Sequence, residues 1–134
     1  MAHIPQAKES IEDFFARYTD YLTKGNLDGL ADIYNYPALA VTAQGCLAIT
    51  DPQQTRDFFE QNRKRYVAQG IDAVRAKDIT TDIEGTGIWV GHLKLQNLAG
   101  DSPVNEERNA YQVITLADGN RRIAVTTPLD AAEA

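Results

Sequence analysis

The stretch that decides the fold is residues 16–41, ARYTDYLTKGNLDGLADIYNYPALAV. It reads as the end of a helix, a Gly-Asn break, a short second helix and a strand. Working back from it, Ile11, Phe14, Phe15, Tyr18, Tyr21 and Leu22 recur at three- and four-residue steps. That is one wide apolar face of a helix over roughly residues 6 to 24, with Pro5 placed for a first turn. Gly25 ends this helix and Asn26 caps the next. Asp28 falls in the second helix's first turn, where the macrodipole favours negative charge. Leu27, Leu30, Ile33 and Tyr34 form its buried stripe. A residue before proline is pushed out of the α region, so this helix stops by Tyr36.

Working forward, PALAVTAQGCLAIT is expected to form two short strands around Gln44-Gly45. No carboxylate lies between Asp32 and Asp51. Asp51 as N-cap, Pro52 at the first helical position and Gln54 at the third make a capping-box pattern. The helix they open carries Phe58, Phe59, Tyr66 and Val67, runs to about Ala68 and stops at Gly70. From Ile71 the period changes to two. IDAVRAKDITTDIEGT, GIWVGHLKLQNL, VNEERNAYQVITL and RRIAVTT read as four successive strands. The fold class is therefore α+β: three N-terminal helices packed on a strongly curved antiparallel sheet.

The chain of 134 residues suits one domain, 1–134. Its 43% hydrophobic and 24% charged residues are ordinary for a globular protein. No apolar run approaches the roughly 20 residues of a membrane span. The start MAHIPQAKES lacks the features of a secretory signal, so a cytoplasmic location is expected. Cys46 is the only cysteine, which excludes an internal disulfide and a cysteine-rich zinc site. It reads as a small strand residue. The formal net charge of -6 opposes non-specific attraction to nucleic acid or anionic lipid.

The order of elements resembles the nuclear transport factor 2-like fold over nearly the whole chain. The segment RYTDYLTKGNLDGLADIY resembles the signature of bacterial ketosteroid isomerases and polyketide cyclases. ITLADGNRRIAV resembles the hairpin that closes the family's sheet. The resemblance implies a cystatin-like half-barrel enclosing a cavity, and a homodimer. In the isomerases a carboxylate on the first strand moves a proton, while a tyrosine and a protonated acid hold the oxyanion. By this resemblance Tyr18 matches the tyrosine, the base position falls on Thr42, and the late-strand acid position falls near Gln112. A threonine is no general base near neutral pH, and Gln112 cannot switch charge. Ketosteroid isomerisation is therefore not expected, and no catalytic residue is assigned.

Alternation assigns faces to the strands. On IWVGHLKLQ the apolar set Trp89, Gly91, Leu93 and Leu95 faces inward, and Val90, His92, Lys94 and Gln96 face out. Counting back from Asp118-Gly119 puts Ala110, Gln112, Ile114 and Leu116 inside, with Ile123, Val125 and Thr127. The expected cavity lining is Tyr18, Thr42, Trp89, Leu93, Gln112 and Thr127. The bland alternatives are a buried Tyr18 with a satisfied hydroxyl, a core Trp89 and a surface His92. His3 lies in an expected loose terminus. Arg108 stands at the expected cavity mouth. No metal site is expected from two distant histidines. GTGIWVG fails the dinucleotide test because it opens no helix. Neither Ser10 nor Ser102 lies in a nucleophile elbow.

No cofactor is expected. Three functional readings follow. The first is a binder of a small apolar molecule with one polar group. The second is an isomerase, cyclase or dehydratase acting on a small apolar carbonyl compound. The third is an interaction module with a filled core. A homodimer through the outer sheet face is expected, on the row Val90, His92, Gln96, Tyr111 and Val113.

Overall fold

The computed structural model describes residues 6–130. Pro5 and His3 lie outside the described residues. The elements are α1 (Ile11–Lys24), α2 (Leu27–Ile33), β1 (Tyr34–Thr42), β2 (Gly45–Ile49) and α3 (Pro52–Ala68), followed by β3 (Ala73–Gly85), β4 (Ile88–Ala99), β5 (Ser102–Thr115) and β6 (Arg121–Pro128).

Each helix is delimited by the residues that its sequence supplies. Ser10 caps α1 by accepting from Asp13 N at 3.1 Å, which is why the helix starts at residue 11 and not at 6. Gly25 closes it in the left-handed conformation at φ 64°, and Asn26 N donates to Tyr21 O at 2.9 Å. Asn26 then caps α2 through Gly29 N. Asp51 caps α3 through Gln54 N at 2.9 Å. Gln54 reaches back one residue further than a capping box does, accepting from Thr50 N at 3.0 Å.

The six strands form one curved, open sheet in the order β2-β1-β6-β5-β4-β3. The sheet is mixed, because β1 and β6 pair in parallel while the other pairs are antiparallel. The long excursion through α3 and β3–β5 brings β6 back beside β1, and this is where the antiparallel expectation is modified.

The helices cover one face of the sheet. Phe14, Phe15, Tyr18 and Leu22 of α1 pack with Leu30 and Ile33 of α2, Phe59 of α3, and Trp89, Leu93, Tyr111, Val113 and Ile123 of the strands. No helix among the described residues is long and apolar enough to cross a membrane.

Two bulges set the inward faces. Leu98 pairs with Pro103 but Asn97 pairs with Asn105, so Val104 is an extra residue on β5. Val113 pairs with Ile123 but Gln112 pairs with Val125, so Ala124 is an extra residue on β6. Directly paired residues share a face. Trp89 pairs with Val113 and Gly91 with Tyr111, so Tyr111 and Val113 point inward. Ala110, Gln112 and Ile114 therefore point outward, against the count from the Asp118-Gly119 turn. Ile123 is inside as expected. Beyond the Ala124 bulge the phase reverses, so Val125 and Thr127 lie outside and Thr126, paired with Tyr111, lies inside.

Candidate functional site

The interior of the cone is occupied by aromatic rings. Phe15 lies 5.5 Å from Trp89 and 5.1 Å from Tyr111, centroid to centroid. Tyr18 lies 6.5 Å from Tyr34, 6.4 Å from Phe59 and 6.1 Å from Tyr111. These rings are all buried, and at such separations they fill the space between α1 and the sheet.

Three phenol groups converge here. Tyr18 comes from the middle of α1, Tyr34 from the first residue of β1, and Tyr111 from the inner face of β5. The Tyr18 and Tyr34 hydroxyls are 3.3 Å apart. Tyr111 Oη accepts from Asn109 Nδ2 at 3.3 Å. Burial pushes the Tyr34 phenol up to about 12, opposed by hydrogen bonding to Tyr18 and Thr126. Burial also drives Tyr18 and Tyr111 upward, with neighbouring phenols adding to the effect. At neutral pH all three are neutral hydrogen-bond donors. Among the described residues the buried polar side chains are Thr19, Thr55 and Asn97, so no buried carboxylate stands beside the phenols to act as a base.

The expected lining residues separate into two groups. Tyr18, Trp89 and Leu93 come together in the interior, at 3%, 1% and 1% exposure. The remaining residues do not join them. Thr42 is exposed at the end of β1, where its hydroxyl donates to Gly45 O and accepts from Gln44 N in the hairpin turn. Gln112 is exposed and Thr127 half-buried, both on the outer face. Tyr111 and Val113, expected outside, are inside. His92 is half-exposed on the outer face, with Nδ1 2.9 Å from Asp82 Oδ2. Arg108 pairs with Asp130 at 2.9 Å.

Sequence reasoning misses Tyr34, Tyr111 and Asn109. In the sequence Tyr34 reads only as part of the α2 stripe. Tyr111 carries a usable signal: it falls on the same phase as Val113, two apolar residues flanked by Ala110, Gln112 and Ile114.

Two cavities lie away from the rings. One of about 470 Å³ is bounded by residues 6–10, Ile88, Thr115 and Arg121. Another of about 170 Å³ lies where Leu22, Tyr66, Ile71 and Val74 meet the ends of α1 and α3. Among the described residues no group of three or more His, Cys, Asp or Glu is arranged to hold a metal ion.

The hydroxyl geometry yields a direct test. Replacing Tyr18 with Phe should lower stability by about 0.5–1.5 kcal/mol, because Tyr34 loses one of its hydrogen-bond partners while the ring packing is kept. Equilibrium urea unfolding measures it. An unchanged midpoint would show that the Tyr18 hydroxyl has no native partner of value.

Comparison with known proteins agrees with this architecture. A family model described as NTF2-like protein (DUF6841) matches residues 6–131. No curated protein shows significant similarity to the chain. Among solved structures, Aln2 from a Streptomyces species is 14% identical, with TM-score 0.71 over 94% of this chain and 93% of that one. An NTF2-like protein with a cystatin-like fold from Novosphingobium aromaticivorans is 14% identical, with TM-score 0.68 over 91% of this chain and 81% of that one. A protein of unknown function from Mycobacterium tuberculosis is 14% identical, with TM-score 0.68 over 92% of this chain and 71% of that one. At these identities the likeness is one of fold.

Proposed function

The chain belongs to the NTF2-like protein family (DUF6841), and we propose that within this fold it serves as an assembly module with a filled cone, pairing with a second copy through the outer face of its sheet. The observation that carries this reading is one row of side chains. Ile83 pairs with Val90, Val90 with Gln112, Gln112 with Val125, Val125 with Leu39, and Leu39 with Ala48. The row crosses all six strands on the face that no helix covers. Five of its six members are apolar, and Ile83 is 68% exposed. Ile88, Ile114, Val41 and Ala110 extend it to either side. The row is more apolar than the alternation on β4 alone implies.

A contiguous apolar face of this kind is a liability in a single chain. Stable pairs bury about 1,200–2,000 Å² in total, the scale of one sheet face against another. A two-fold pairing lets the same patch serve both copies. The filled interior supports this reading, since the aromatic rings occupy the space that a ligand would need.

Sedimentation at micromolar concentration tests the proposal. The wild-type chain should run as a dimer. Val125→Glu places a charge in the centre of the row and should weaken the dimer by at least about 100-fold while the helical signal is retained. A wild-type monomer, or a variant that still pairs as tightly, would overturn it.

A second reading, binding of a small apolar compound with one polar oxygen, draws on the three converging phenols. Such an oxygen would accept from Tyr18, Tyr34 or Tyr111, provided that α1 or α3 shifts to admit it. Native mass spectrometry of the freshly purified protein tests this reading. A single extra mass that is lost in Tyr18→Phe supports it, and a chain free of any bound compound counts against it.

A further inference from the structure

We propose that Gln54 is a guard: its side chain closes the edge of β2, a strand-pairing surface that would otherwise take a second copy of this chain. This goes beyond the sheet-face pairing and does not depend on it. β2 and β3 are the two edges of the open sheet. An edge strand offers unpaired N–H and C=O groups to any other strand, and native proteins blunt such edges with charge, proline or bulges. β3 is blunted in these ways. It carries Arg75, Lys77, Asp78, Asp82 and Glu84, and its register with β4 shifts twice. β2 has none of these devices. Its sequence is GCLAI, without charge or proline. Its register with β1 is unbroken from Gly45 to Ile49, and residues 45–48 are exposed.

What β2 has instead is Gln54. The side-chain Nε2 donates to Ala48 O at 2.8 Å, and Oε1 accepts from Thr50 N at 3.0 Å. This orientation is fixed, because a carbonyl only accepts and a backbone N–H only donates. The backbone groups of successive strand residues point to opposite sides. Ala48 and Cys46 therefore present theirs to the open edge, while Leu47 and Ile49 face β1. Ala48 O and Thr50 N flank Ile49 on that edge. They are the two groups that a neighbouring strand would bond, and one amide occupies both. The amide is delivered by the start of α3, where Gln54 N donates to Asp51 Oδ1 at 2.9 Å, and Gln54 is half-buried. With Gln54 in place, an incoming strand finds only the groups of Cys46 and the Ala48 N–H, too short a run to hold it. Without Gln54 the edge is self-complementary. Two uncharged GCLAI segments can pair antiparallel across a two-fold axis and join both sheets into one.

Hydrogen exchange on the wild-type chain gives the first test. Thr50 lies beyond the end of β2, so its amide is protected by the Gln54 bond and not by a ladder. Corrected for sequence, it should exchange about tenfold or more slowly than the edge-facing Ala48 amide. Gln54→Met keeps the length and helix propensity of the side chain and removes the amide. With its helical signal retained, it should associate about tenfold or more tightly than the wild type in sedimentation, the scale of the edge bonds set free. Cys46 is the only cysteine and lies exposed on β2, so it reports where the copies meet. Its cross-linking by a short bis-maleimide should rise with the added mass. Gln54→Glu loses the same bond to Ala48 O but leaves a charge on the edge, and should associate no more than the wild type. Equal exchange at Thr50 and Ala48 would overturn the guard. So would a Gln54→Met protein that associates like the wild type or without Cys46 cross-linking, or a Gln54→Glu protein that associates as tightly as Gln54→Met.

Discussion

Raising the pH above 10 should unfold this protein over a narrow interval, and the ionisation of its buried phenols should coincide with the loss of structure. Tyr34 is held protonated to about 12 in the folded chain, against an ordinary value of 10.0. Tyr18 and Tyr111 are shifted in the same direction by burial. Between the unfolded and folded values the unfolded chain has released these protons and the folded chain has not. The unfolded state therefore binds fewer protons, and stability falls as pH rises. The contribution is fully present below pH 10 and is lost through the folded value. Tyr34 alone accounts for about 3 kcal/mol across that window. Tyr18 and Tyr111 add to this loss in the same direction, against a total of about 5–15 kcal/mol that holds a typical domain. Phenolate absorbance and circular dichroism, followed on one sample, decide the matter. The buried phenols should appear as phenolate only when the helical signal collapses. Full ionisation of all six tyrosines near pH 10 with the fold intact would show that the interior is wet.

The fold is legible in the sequence because its signals are local. Gly25-Asn26, Asp51-Pro52 and the change of period after Ile71 each act within a few residues, and the structure places breaks at all three. The inward-facing set is legible on β4, where Trp89, Gly91, Leu93 and Leu95 alternate without interruption. It fails on β5 and β6, and on β6 for a definite reason. Side chains in a strand have a period of two, so one extra residue moves every later side chain to the opposite face. Ala124 is such a residue on β6, and an alanine does not announce a bulge; on β5 no extra residue lies between Gln112 and the turn, and there the phase at the turn itself is the opposite of the one expected. Counting from the distant Asp118-Gly119 turn puts Gln112 inward. The better anchor is Trp89, whose pairing with Val113 carries the inward face directly to Tyr111. The phenol cluster is half legible. Tyr18 stands in a recognisable motif. Tyr34 and Tyr111 join it only because β6 returns to lie beside β1, a long-range pairing that no local pattern encodes.

Gly91 marks the point where the inner face is tightest, and replacing it should be among the most damaging single changes in the chain. It pairs with Thr81 on β3 and Tyr111 on β5. A Cβ there would strike Thr80 O on one side and the six-membered ring of Trp89 on the other. The absence of a side chain at 91 is what lets the Trp89 indole lie over the strand, with its Nε1 donating to Thr81 Oγ1 at 2.8 Å and its ring tilted against Phe15. Gly91→Ala should therefore cost about 1–3 kcal/mol through overpacking, and Trp89→Ala about 3–5 kcal/mol through lost burial and the void left behind. The double variant separates the two obstacles. Removing the indole frees one side of the added methyl group, but Thr80 O belongs to the backbone and cannot swing away. Gly91→Ala should still destabilise the Trp89→Ala protein, though by less than it destabilises the wild type. Denaturant unfolding of the four proteins gives the coupling. A Gly91→Ala substitution that is neutral in the wild type would mean that β3 and β4 do not approach as closely at Thr80 as they do here. The inward register anchored on Trp89, and with it the placement of Tyr111 among the buried phenols, would then have to be redrawn.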